Sequence, residues 1–181
     1  MRINANDTAV LVVDYQAKLL PAMSELESLM DSSKKLLTGL KELEIPMIVT
    51  EQYSKGLGPT VDEIIECMGD SYKPYEKSTF SGICTPEIKA AVDALGKKNI
   101  IVCGVEAHVC VLQSVIDLIE CGYNVLLVED CIASRKVSDK ETSVKRAMGE
   151  GAYITSAEAV LFELTYGAGT PHFKTISKIV K

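Results

Sequence analysis

The chain has 181 residues, enough for one domain with a real core and no need of a disulfide or metal to fold. Hydrophobic residues make up 47% and charged residues 24%, the balance of a water-soluble globular protein, and no run approaches the ~18 apolar residues of a membrane span. The net charge of −6 argues against nucleic acid and anionic membrane as partners.

The opening Met1-Arg2-Ile3-Asn4-Ala5-Asn6-Asp7 lacks the basic-then-apolar plan of a signal peptide, so the cytosol is the default expectation. Thr8 to Val13 is a continuous apolar run ending at Asp14 and reads as a buried strand. Leu26, Leu29, Met30, Leu36, Leu37, Leu40 and Leu43 recur at helical spacing across 26–44. Pro46 opens a second strand, Met47 to Thr50, and the glycines and proline of 51–60 mark a loop. A short helix follows over Val61 to Met68. Tyr72 to Glu76 is a candidate strand that Pro74 weakens.

Thr85-Pro86-Glu87 reads as a capped helix start, with the helix running to about Leu95. Asn99 to Cys103 is the next strand, and 107–121 the next helix, ended by Gly122. Asn124 to Val128 is a strand closing at Glu129-Asp130. Ser138-Asp139-Lys140-Glu141 is a capping box whose helix ends near Gly151. Ala152 to Ile154 is a last short strand, and Thr155-Ser156-Ala157-Glu158 starts a final helix. Strands that are apolar throughout, separated by helices, predict a single three-layer α/β/α sandwich over residues 1–181. Its sheet is expected to be mostly parallel and six-stranded, counting the weak strand. Ligands in such sheets bind outside the carboxyl ends of the strands, where Asp14, the Gly104–Cys110 turn and Asp130 all fall. Lys77 follows the weak strand.

Cysteines occupy 67, 84, 103, 110, 121 and 131, with no C-x-x-C pair and no histidine at metal-ligand spacing. Cys103 and Cys131 lie in or after apolar strands, Cys67 and Cys121 look like helical packing positions, and Cys84 sits in a turn without an assigned role. Cys110 differs, standing where a strand turns sharply into a helix. There the positive end of the helix dipole favours thiolate. Asp14 is a candidate proton acceptor for it, and Lys77 a candidate cation. Backbone N–H groups in the turn are candidate oxyanion donors. The residues alone point to a thiol hydrolase.

Three motifs add a resemblance that spans nearly the whole chain. Leu11-Val12-Val13-Asp14-Tyr15-Gln16, Glu76-Lys77-Ser78-Thr79-Phe80-Ser81 and Gly104-Val105-Glu106-Ala107-His108-Val109-Cys110-Val111 resemble the isochorismatase-like cysteine hydrolase superfamily. That superfamily includes nicotinamidases and carbamoylsarcosine amidase. The resemblance implies Asp14 as base, Lys77 as catalytic lysine and Cys110 as nucleophile. It also implies a cis peptide between Val105 and Glu106, with the N–H groups of Glu106 and Cys110 forming an oxyanion hole. The stretch from Thr50 to Thr60 and the tail Pro171-His172-Phe173-Lys174 resemble the isochorismatase-domain-containing branch.

Two departures narrow the expectation. Nicotinamidases carry a metal-binding Asp-x-His pair where this chain has Glu51-Gln52-Tyr53-Ser54, so no metal or other cofactor is expected. Isochorismate-cleaving members lack the nucleophilic cysteine. Ala107 stands where the third motif often has threonine.

The expected function is metal-independent hydrolysis of a small amide-type C–N bond through a thioester. Gln16, Tyr53, Phe80 and His108 are candidate walls of the substrate pocket; His108 is first a candidate structural group, then a pocket wall, and last an acid or base. The alternative is a non-catalytic interaction or regulatory module on the same fold. A nucleotide-binding protein is disfavoured, since no Gly-rich loop follows the first strand. The partners expected are a small-molecule substrate and further copies of the chain, with the apolar helix around Phe162 and Leu164 as a candidate contact. Asp130 and Arg135 are a candidate ion pair.

Overall fold

The computed structural model describes residues 1–181. Six strands form one sheet in the order β3-β2-β1-β4-β5-β6. They are β1 (Thr8–Val13), β2 (Met47–Gln52), β3 (Pro74–Lys77), β4 (Asn99–Val105), β5 (Asn124–Ala133) and β6 (Tyr153–Thr155). Every pairing is parallel. Pro74 is tolerated because it is the first residue of an edge strand.

Successive residues of a strand point to opposite faces, and the core divides accordingly. Val10 and Val12 pack on one side with α1 (Leu26–Glu42), α3 (Asp62–Met68), α7 (Ala157–Thr165) and α8 (Phe173–Ile179). Ala9, Leu11 and Val13 pack on the other with α4 (Pro86–Ala94), α5 (Leu112–Glu120) and α6 (Val137–Glu150). These are the three layers expected, and no helix is long and apolar enough to cross a membrane.

Several local expectations are corrected. β2 extends to Gln52, and the loop beyond holds a short helix, α2 (Ser54–Leu57). β5 does not close at Asp130. Five residue steps of β5, Leu127 to Ile132, oppose two of β4, Val102 to Gly104. The polar Glu129-Asp130 fall in this irregularity, and the chain rejoins the sheet to end at Ala133. Asp130 is therefore not at a strand end; its Oδ1 accepts from the Ala157 N–H at the start of α7.

Thr85 makes no capping bond, because its hydroxyl pairs with Thr79 Oγ1 at 2.9 Å. α6 starts at Val137, which places Ser138 inside the helix and leaves the capping box unformed. Ser156 does cap α7. That helix is not the last: α8 folds back beside it, with the rings of Phe162 and Phe173 6.4 Å apart. Leu164 is buried in the core, so the face expected to meet another subunit is largely covered from within. Cys121 is exposed and is not the packing residue expected; Cys67 is partly buried and packs against the core, and Cys103 and Cys131 are fully buried.

Candidate active site

In this strand order the sheet reverses direction of growth between β1 and β4, and the crevice beyond their carboxyl ends is where such folds bind ligands. Gly104 lets the two strands meet there. It pairs with Val13, has φ +126°, and any Cβ would lie 2.0 Å from the Val13 carbonyl oxygen. No other residue fits without separating the strands.

Asp14 follows β1 with φ 52° and is wholly buried. Its N–H donates to Thr50 O, and its Oδ1 accepts from Thr50 Oγ1 at 2.7 Å. Lys77 ends β3, two strands away. At about 4.8 Å per strand its stem has to cross the end of β2 to reach Asp14. It does so: Nζ donates to Asp14 Oδ2 at 2.7 Å, with both side chains completely removed from solvent.

The third group comes from the turn after β4. The peptide between Val105 and Glu106 is cis. The turn then winds as a wide π turn over Ala107–Val111 before α5 begins, so Cys110 does not stand in the first turn of an α-helix as expected. Ser143 Oγ donates to Ala107 O at 2.6 Å, and Ser114 Oγ donates to Cys110 O at 2.7 Å. Ser114 also accepts from the Gly82 N–H, tying the loop after β3 to the cysteine-bearing turn. The Glu106 N–H has no acceptor within the chain. The Glu106 side chain pairs with Arg135 Nε at 2.8 Å, which replaces the expected Asp130–Arg135 pair.

Cys110 is 6% exposed. Burial pushes its thiol up to about 12; the Asp14 charge adds to this and the Lys77 charge opposes it. The expected thiolate bias is thus reversed at rest. Desolvation and the neighbouring carboxylate outweigh any dipole. A carboxylate beside a thiol can still take its proton as the sulfur attacks.

The remaining candidates separate. Gln16 is buried, its amide committed to the Gln52 N–H, Gln52 O and Gly58 O, so it braces the loop and does not line a pocket. Tyr53 and Phe80 are 59% and 54% exposed, on the loops after β2 and β3. The Phe80 carbonyl accepts from Lys77 Nζ, placing its backbone at the charged centre. His108 shares a 2.9 Å hydrogen bond with Ser134 Oγ. Its ring lines a cavity of about 250 Å³ with Leu112, Asp139, Thr142, Ser143 and Arg146, to which Asp14, Lys77 and Cys110 do not contribute. Glu51 is tied to the loop wall: its Oε1 accepts from Thr60 N, Thr60 Oγ1 and Tyr72 OH, and burial together with this carboxylate pushes the Tyr72 phenol up to about 12. Thr50 and Gln52, which hydrogen-bond Asp14 and Lys77, carry no distinguishing sequence signal; in the structure Gln52 and Lys77 are register partners at the ends of β2 and β3.

A three-layer parallel α/β domain with aspartate, lysine and cysteine gathered at its switch crevice defines a class of hydrolase fold. The isochorismatase domain family model matches residues 8–159, and the chain belongs to that family. Isochorismatase domain-containing protein 2 of Danio rerio is 33% identical over 180 residues, covering 99% of this chain and 89% of that protein. The structure of MAR1 ribonuclease from Caenorhabditis elegans superposes with a TM-score of 0.94 at 36% identity, over 99% of this chain and 92% of that one. The ycaC gene product of Escherichia coli, an octameric hydrolase of unknown specificity, gives 0.88 at 28% identity over 92% and 83%.

Proposed function

We propose that this isochorismatase-family protein is a cysteine hydrolase that cleaves a small amide-type C–N bond through a thioester on Cys110. The carrying observation is the wholly buried Lys77–Asp14 pair, 2.7 Å long, whose charges both act on the Cys110 thiol. Asp14 takes the thiol proton as sulfur bonds to the substrate carbonyl carbon. The oxyanion is received by the N–H groups of Glu106 and Cys110, of which the first has no competing acceptor in the chain. The C–N bond breaks, and the proton on Asp14 goes to the leaving amine. Water then gives a proton to Asp14 as its oxygen attacks the thioester. The acid departs and the proton returns to sulfur. No metal takes part in this scheme, in which Glu51 holds Thr60 and Tyr72. Tyr53 and Phe80 flank the entrance and select the substrate; His108 serves the cavity beside α6. Further copies of the chain are the proposed partners, in keeping with octameric ycaC.

A second reading comes from the name of the Caenorhabditis elegans relative, a ribonuclease. A net charge of −6 disfavours a polyanionic substrate. Turnover of a panel of small primary amides and of single-stranded RNA by the native protein and by Cys110→Ala tests both. Amide release that disappears in Cys110→Ala supports the proposal, and RNA cleavage untouched by that change would sink it.

A further inference from the structure

The Lys77 ammonium has three N–H groups and no acceptor capacity. It donates to Asp14 Oδ2 at 2.7 Å, Gln52 Oε1 at 2.7 Å and Phe80 O at 3.0 Å, with a longer 3.4 Å contact to Thr79 O. The three short bonds use every proton. Lys77 therefore acts on Cys110 chiefly as a charge, and its place is set by the acceptors around it.

Gln52 is the one side-chain acceptor besides Asp14, and it is itself held. Its Nε2 donates to Ser78 O at 3.0 Å, and its main-chain N–H and C=O are clasped by the Gln16 amide at 2.7 and 3.0 Å. The amide has one orientation only, because Lys77 can only donate and the Ser78 carbonyl can only accept. Gln52 thus grips both the ammonium and the start of the loop that carries Phe80.

We propose that Gln52 is a positioning residue: its neutral amide holds the Lys77 ammonium between Asp14 and the Ser78–Phe80 loop. This rests on Cys110 being the nucleophile. Neutrality matters because a carboxylate here would compete with Asp14 for the ammonium and leave the centre with an excess negative charge, which opposes thiolate. The charged groups acting on the Cys110 thiol are otherwise Asp14 and Lys77 alone.

The test is the rate of Cys110 alkylation by iodoacetamide at pH 8 on the full chain, followed by peptide mass spectrometry. Exposed Cys121 and buried Cys103 and Cys131 are internal references. Gln52→Glu is expected to slow Cys110 about tenfold, the effect of one pKa unit on the thiolate fraction, and to leave Cys121 unchanged. Gln52→Met, similar in size and neutral, is expected to speed amide exchange in residues 78–82. A folded Gln52→Glu protein with the native Cys110 rate would overturn the inference and leave the nucleophile in place. If Gln52→Glu does not fold, native exchange of residues 78–82 in Gln52→Met overturns it instead. Amide hydrolysis at the native rate in Cys110→Ala overturns the nucleophile, and the inference with it.

Discussion

Lys77 Nζ and Asp14 Oδ2 stand 2.7 Å apart where neither side chain touches solvent. Such a pair is poor evidence for stability, since desolvation offsets the attraction, but removing one partner strands a buried charge. Lys77→Met is therefore expected to lose about 3–5 kcal/mol in urea unfolding. Adding Asp14→Asn to it should restore part of that loss, because the stranded carboxylate is gone. Simple additivity of the two single changes would show that the charges do not couple.

The thiol of Cys110 gives a prediction with a definite sign. Its pKa is raised above the ordinary value of 9.0 to about 12, by burial first and the Asp14 charge next. The folded state thus favours the protonated thiol. The stability this contributes is complete below about pH 9 and is lost as pH rises from there toward 12. Asp14→Asn removes a raising charge, so iodoacetamide should label Cys110 faster at pH 8 while hydrolysis stops. Lys77→Met should label more slowly. The opposite order would mean that Asp14 does not face the sulfur.

Gly104→Ala should be more damaging than its size implies. The added methyl would meet the Val13 carbonyl, which is backbone and cannot rotate away, and φ +126° is a strained conformation for alanine. Strain of about 1–3 kcal/mol adds to the clash, so a drop beyond about 3 kcal/mol is expected in chemical denaturation. A near-native midpoint would show that β1 and β4 approach less closely than described.

What was legible in the sequence was what burial dictates. Thr8–Val13 is apolar at every position because both faces of β1 are covered, and its bounds were readable to the residue. Glu129-Asp130 look like the end of β5, whereas they sit in a local irregularity before the chain rejoins the sheet. The π turn at Ala107–Val111 left no mark, since apolar spacing there is the same for an α-helix begun one turn earlier. α8 leaves no periodic signal, because its seven residues are too few to show one. Of the site, Asp14, Lys77 and Cys110 could be placed at strand ends. Gln52 cannot be singled out, because its contact with Lys77 arises only where the lysine stem crosses the end of β2. The Cys110 thiol is held protonated, opposite to what a helix dipole alone favours, because burial and the facing carboxylate outweigh it.

Ser114 connects the loop after β3 to the turn that carries Cys110, accepting from the Gly82 N–H and donating to Cys110 O. Ser114→Ala leaves a buried N–H without an acceptor, at a cost of about 1–3 kcal/mol. Amide exchange at Gly82 should quicken. Protection of Gly82 equal to the native protein would mean that another group holds the loop.

The most direct test is acid quenching of the protein during turnover of a small primary amide, followed by intact-mass and peptide analysis. The expected result is an acyl mass on the peptide bearing Cys110, longer-lived in Asp14→Asn after loading with an activated thioester, and absent from Cys110→Ala. Hydrolysis that proceeds at the native rate in Cys110→Ala, with no acyl mass on any cysteine, would contradict the mechanism.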